Sequence, residues 1–217
     1  MNIFDILGPV MVGPSSSHTA GAVRIGLMAR KLLKEEPKKV NIYLHGSFAA
    51  TGVGHGTDKA IIAGLLGMNP DDTRIPHSFE IAHEKRLEFD FETMNIRGAH
   101  PNTALIVVRG DNNTLTMQAS SLGGGKILVN KIEDMEVNIH GEKPTLIVHN
   151  LDQPGFVAEV TGILAQKGIN IATMQLCRSQ RGGQAVMIIE TDQEVPVEVL
   201  HYLQSFQGIV KVTYIQA

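Results

Sequence analysis

The chain has 217 residues, 43% hydrophobic and 19% charged, with 19 basic against 22 acidic side chains and a formal charge of −3. That length suits two domains of ordinary size, the composition is that of a soluble globular protein, and the sequence offers neither an apolar run of ~18 residues for a membrane nor a basic face for nucleic acid. A lone cysteine points to a reducing cytoplasm and is too few to hold an iron–sulfur cluster or a thiolate zinc site, so such chemistry has to come from another chain. The opening Met1–Ile6 lacks the basic residues and long apolar stretch of a secretion leader.

Gly13-Pro14-Ser15-Ser16-Ser17-His18-Thr19-Ala20-Gly21 gathers three hydroxyls, a histidine and a string of amides directly ahead of an amphipathic run over 22–34, read as a helix packed on a sheet. A helix start exposes unpaired N–H groups, so this turn is a seat for a carboxylate or phosphate; the plainer alternative is that Ser15–Ser17 only cap the helix. His18 at such a start is disfavoured as a cation and stays able to accept a proton. Glu35-Glu36-Pro37 ends the helix, and Val40, Ile42 and Leu44 alternate as a strand does. The stretch His45 to Gly56 reads as a glycine-rich turn carrying Ser47, Thr51 and His55, after which Thr57 or Asp58 caps a helix over 59–66. Asp58 either orients the His55 ring or simply begins that helix. The glycines match no nucleotide fingerprint, and His-x9-His is not a metal-ligand spacing. From Leu87 the pattern turns to β, with strands over 87–91, 104–109, 114–119 and 126–129; Ala99–Thr103 and Ser120-Ser121 read as turns whose small polar residues are compatible with one pocket.

A polar, turn-forming stretch at His140–Pro144 marks a boundary, giving domains 1–143 and 144–217. The second reads strand 145–149, helix 154–166, strands 170–178 and 184–190, helix 196–204 and strand 209–215. That βαββαβ order is ferredoxin-like, a four-stranded sheet with two helices on one face, and its open edge favours pairing between copies. The fold class is therefore α/β (α+β). Cys177 falls within a strand of this domain and reads as a small packing residue.

Gly13–Thr19 together with Gly46-Ser47, Thr51-Gly52, Gly54-His55 and Thr57-Asp58 resembles the beta portion of bacterial iron–sulfur L-serine dehydratases, and residues beyond ~145 resemble an ACT domain. The resemblance implies an N-terminal domain similar to the allosteric substrate-binding domain of some D-3-phosphoglycerate dehydrogenases. It implies conversion of L-serine to pyruvate and ammonia without pyridoxal phosphate, with a 4Fe-4S cluster ligated by an alpha chain and no metal on this one. On these positions it implies a carboxylate seat from Ser15, Ser16, Ser17 and the adjoining amides, further substrate-binding groups at Thr19, Ser47, Thr57 and Asp58, and acid/base groups from His18 and His55, the choice of base being left open. His45 is less favoured. Asn150, Leu151, Asp152 and Gly155 are similar to the loop where ACT domains hold amino-acid effectors, although a capped helix with an early proline explains the same residues.

The competing reading is a purely regulatory module in which the serine turn senses serine or phosphoserine and catalysis belongs to other chains. An independent hydrolase built on Ser17 and His18 is disfavoured, because adjacent residues seldom set a nucleophile against its base and no Gly-x-Ser-x-Gly elbow is present.

Overall fold

A computed structural model describes residues 10–178 and 180–216; the Met1–Ile6 segment lies outside them. By packing, the chain divides into two units between Glu133 and Asp134. No helix among the described residues is long and apolar enough to cross a membrane.

The first unit is built on β1 (Lys39–His45), β2 (Glu88–Thr93), β3 (Asn102–Arg109), β4 (Thr114–Gly123) and β5 (Lys126–Ile132), which stand in the order β2-β1-β3-β4-β5. β1 and β2 run parallel and the remaining neighbours antiparallel. Alternation puts Val40, Ile42 and Leu44 of β1 opposite Val108, Ile106 and Ala104 of β3, all buried. Against this sheet lies α1 (Gly21–Leu33), as its apolar spacing predicts.

The opposite flank of α1 is buried too, against α3 (Thr57–Leu65). Two glycines make that crossing: a methyl on Gly26 would overlap the Ile61 carbonyl oxygen, and one on Gly64 would overlap the Val23 carbonyl oxygen. Backbone meets backbone here, so the two helices that carry the serine turn and Thr57 are held at fixed separation.

The glycine-rich stretch after β1 is a helix, α2 (Gly46–His55), where the sequence reading has a turn. Glycine costs a helix roughly 1 kcal/mol per residue relative to alanine, and tertiary anchoring outweighs it. Phe48 is completely buried, and the Pro101 carbonyl accepts the Ser47 amide at 2.8 Å. α3 is also capped differently from expectation. Its N-cap is Gly56, in the left-handed region at φ 68°, with no side-chain cap bond. Asp58 instead accepts the Lys59 amide at 2.8 Å. A short α4 (Ser78–Glu84) precedes β2, and Ser120 and Ser121 belong to β4 rather than to a turn.

The second unit begins with β6 (Met135–Ile139), ahead of the polar stretch at 140–144, and continues β7 (Thr145–Leu151), α5 (Phe156–Gln166), β8 (Ile171–Arg178), β9 (Gln184–Thr191), α6 (Val197–Ser205) and β10 (Ile209–Ile215). From β7 onward this is the expected βαββαβ order, with strands arranged β10-β7-β9-β8. Leu146, Val148, Met187 and Ile189 from the central strands pack with Val160 and Leu164 of α5 and Val199 and Leu203 of α6. Tyr214 closes the core's end: its hydroxyl accepts the Val195 amide at 3.0 Å and donates to Glu194. Burial, then the Glu194 carboxylate, push that phenol up to about 12. Cys177 sits half-buried in β8, its thiol raised by burial and by Glu136, which suits packing rather than reactivity.

Candidate active site

Ser15 opens the turn that feeds α1. Its backbone is extended, its Oγ accepts the His18 amide at 3.1 Å, and its carbonyl accepts the Thr19 amide at 2.9 Å. Ser15 therefore is the cap that the sequence allows. Residues Ser16–Ala20 then form one wide π-type turn, closed by the Gly21 amide on the Ser16 carbonyl, a widening that recurs where helices carry function. The amides of Ser16 and Ser17 take part in no hydrogen bond among the described residues.

The His18 ring is the hub. Its Nδ1 lies 3.0 Å from Ser17 Oγ, and its Nε2 lies 3.1 Å from both Ser47 Oγ and Thr51 Oγ1 on α2. Ser15 Oγ extends the network to Ser17 Oγ at 3.2 Å. Phe48 presents its ring edge-on to His18 with centroids 5.3 Å apart, and the His55 ring lies at 5.1 Å. Burial, then the proximity of His55, hold His18 below the usual imidazole range, while a hydrogen bond at Ser47 pulls the other way. Near neutral pH the ring is uncharged, as a helix start favours.

His55 ends α2 and is exposed. Its Nδ1 is 3.1 Å from the Thr51 carbonyl oxygen, which can only accept, so Nδ1 carries a proton and, in the neutral ring, Nε2 is the lone pair. Thr19 Oγ1 donates to the His55 carbonyl at 3.4 Å, tying the serine turn to the end of α2.

The fold thus brings together Ser15, Ser17, His18, Thr19, Ser47 and His55 among the residues singled out in the sequence. Ser17 Oγ and His18 Nδ1 reach hydrogen-bond distance although the residues are adjacent. Ser16 stands within the turn. Among the described residues Thr57 is fully buried with no hydrogen-bond partner for its Oγ1, Asp58 is turned onto its own helix start, and neither hydrogen-bonds to the His18 network. His45 serves a different segment, its Nδ1 accepting the Ile96 amide at 3.2 Å. Ala99–Thr103 seats the start of α2: Gly46 takes φ 57°, and a Cβ there would lie 2.6 Å from the Pro101 oxygen. Ser120 joins a buried chain, 2.8 Å from Thr103 Oγ1 and 2.8 Å from Asn130 Oδ1.

Phe48 and the direct contact of Thr51 with His18 escape the sequence reading. The signal for Thr51 is present all the same: Ser47, Thr51 and His55 are spaced i, i+4, i+8, one face of a helix, visible once 46–55 is read as helical.

In the second unit, the Asp152 carboxylate accepts the Gly182 amide at 2.9 Å and an Arg178 N–H at 3.2 Å; the Gly182 amide and then Arg178 hold it below the usual carboxylate range. Asn150 is buried and donates to the Leu151 carbonyl at 2.6 Å, leaving its Oδ1 without a partner. Gly155, at φ 103°, precedes α5 with open space where a Cβ would stand.

Residues 2–132 match the family model described as the serine dehydratase beta chain, and residues 144–200 match that of the ACT domain. The chain is 41% identical over 214 residues to a probable L-serine dehydratase beta chain of Bacillus subtilis, covering 99% of this chain and 97% of the relative. It is 33% identical to the L-serine dehydratase beta chain of Peptoniphilus asaccharolyticus, covering 98% and 97%. A D-3-phosphoglycerate dehydrogenase of Bacillus subtilis is 26% identical over 89% of this chain and 37% of its own length.

Proposed function

The chain belongs to the serine dehydratase beta-chain family and carries an ACT domain; from that premise we propose that it is the beta subunit of a pyridoxal-independent L-serine ammonia-lyase and supplies one wall of an active site shared with an alpha chain. The observation that carries the reading is the His18 hydroxyl network with the His55 ring 5.1 Å away beside it. The Ser47 hydroxyl, with the amides of Ser16 and Ser17, supplies donors suited to a substrate carboxylate, and Ser15 and Ser17 shape the seat around them. His55, its Nδ1–H held by the Thr51 carbonyl, takes the weakly acidic α-proton at Nε2. His18, with both ring nitrogens engaged, holds the hydroxyls in place; its uncharged state avoids repelling the cation that His55 becomes.

Among the described residues no group of three His, Cys, Asp or Glu could hold a metal. These residues do not fit a 4Fe-4S cluster, which the proposal assigns to the alpha chain, and no step above runs through one. On this chain the work is to bind, orient and move one proton. In the ACT unit, the buried unpartnered Asn150 Oδ1 ahead of the α5 start supports an amino-acid effector at Asn150, Leu151, Asp152 and Gly155. Self-association of the subunit and a cytoplasmic setting complete the proposal.

Anaerobic co-production with the alpha chain tests it, with pyruvate release from L-serine as the assay. The expected result is little turnover from either chain separately and iron-dependent turnover from the pair. Deamination by this chain freed of iron, or full turnover by the alpha chain without it, overturns the reading.

A further inference from the structure

We infer that Thr51 is a positioning residue that fixes which nitrogen of His18 carries the proton, and through it which serine hydroxyl is left to face the substrate. The hydroxyl of Thr51 has a single proton, and the Ser47 carbonyl, one helical turn back, takes it at 2.9 Å. Toward His18 Nε2, at 3.1 Å, Thr51 Oγ1 is then an acceptor, so Nε2 is the nitrogen bearing hydrogen. A neutral imidazole has one N–H. Nδ1 is therefore a lone pair, and the Ser17 hydroxyl at 3.0 Å donates to it.

The whole chain of hydrogen bonds acquires one direction. Ser15 Oγ already accepts the His18 amide and passes its own proton to Ser17 Oγ; Ser17 donates to Nδ1; Nε2 donates to Thr51, and Thr51 to the Ser47 carbonyl. Ser47 Oγ, 3.1 Å from the same Nε2–H and 3.5 Å from Thr51 Oγ1, is not required as a donor by either and keeps its proton for a ligand. In the opposite tautomer the assignment reverses. Ser47 would spend its proton on Nε2, Nδ1–H would point at Ser17, and Ser17 would become the outward donor. Thr51 therefore selects Ser47 over Ser17 as the hydroxyl that donates to an anionic substrate group.

The kinetic consequence rests on the active-site reading given above, whereas the tautomer does not, and the two are separable by experiment. In the full-length chain labelled with 15N at histidine, His18 is assigned by its loss in His18→Gln. At a pH where its ring is neutral, the ring couplings are expected to show the Nε2–H form. Thr51→Val, which keeps the shape and removes the hydroxyl, is expected to populate the Nδ1–H form, and Thr51→Ser to restore the original pattern. In the complex with the alpha chain, Thr51→Val is expected to raise KM for serine by about fivefold to tenfold, the cost of one misdirected hydrogen bond, with a much smaller change in kcat. Thr51→Ser recovers KM. A wild-type His18 in the Nδ1–H form, or a Thr51→Val spectrum identical to wild type, overturns the assignment whatever the activity. A tautomer that moves as expected without any change in KM leaves the assignment standing and contradicts the active-site reading.

Discussion

Gly26→Ala is the most direct test of how the serine turn is held. A β-carbon built on Gly26 overlaps the Ile61 carbonyl oxygen and lies 2.9 Å from the Leu65 nitrogen and 3.0 Å from the Gly64 Cα, all backbone atoms of α3 that no rotamer change can withdraw. Alanine favours a helix interior by about 1 kcal/mol over glycine. Overpacking of a rigid contact costs about 1–3 kcal/mol or more, and an obstacle made of backbone belongs at the upper end, leaving a net loss of about 2 kcal/mol. Gly162, inside α5, is the matched control: nothing lies within 4 Å of a β-carbon there, so Gly162→Ala gains the helix term of about 0.5–1 kcal/mol with no opposing clash. Urea unfolding of the two variants is expected to move in opposite directions, Gly26→Ala lowering its unit's midpoint by about 1 M for an m value near 2 kcal/mol/M. A Gly26→Ala chain as stable as wild type, or shifted upward like Gly162→Ala, refutes the close crossing.

Further expectations follow from the site and its surroundings. Ser17→Ala leaves His18 Nδ1 without its donor, and is expected to lower kcat/KM of the assembled enzyme by about tenfold in steady-state assays. His18 and His149 both have folded values below the free imidazole, His18 through burial and then His55, and His149 through burial and then Lys211. The unfolded chain therefore binds more protons as acid is added: their contribution to stability is fully present above about pH 6.5 and is lost as pH falls through the lowered folded values. Thermal unfolding between pH 8 and 5 should show this decline, and His149→Gln should flatten it. Tyr214→Phe removes the acceptor of the Val195 amide and the donor to Glu194, and is expected to cost about 1–3 kcal/mol in urea titration.

The ACT unit was legible because its strands are short apolar or β-branched runs bounded by turn residues and its helices keep an apolar side. In β7 the run Thr145–Val148 is continuously buried, a short apolar stretch of strand length, and α5 and α6 turn Val160, Leu164, Val199 and Leu203 to one side. α2 was not legible, because three of its residues are glycine and propensity argues for a turn. What makes it helical is Phe48 in the core and Pro101 at its start, contacts more than fifty residues apart in the case of Pro101. α4, at 7 residues, is too short to show a period, and β6 lies against the polar stretch that sequence alone reads as a boundary. The serine turn and its histidines were visible as residue types. Their wiring was not, since it depends on α2 being a helix that lines up Ser47, Thr51 and His55. Thr57, singled out by motif, lies inside the core, and a sequence motif does not distinguish a buried threonine from a ligand-facing one.

The central claim is that His55 carries the proton and His18 organises the hydroxyls around it. His55→Gln, assembled with the alpha chain and matched to wild type in iron content, isolates that claim when kcat and KM are measured together. The expected result is a fall in kcat of about a hundredfold or more with KM little changed. A kcat within about twofold of wild type would show that another group removes the proton.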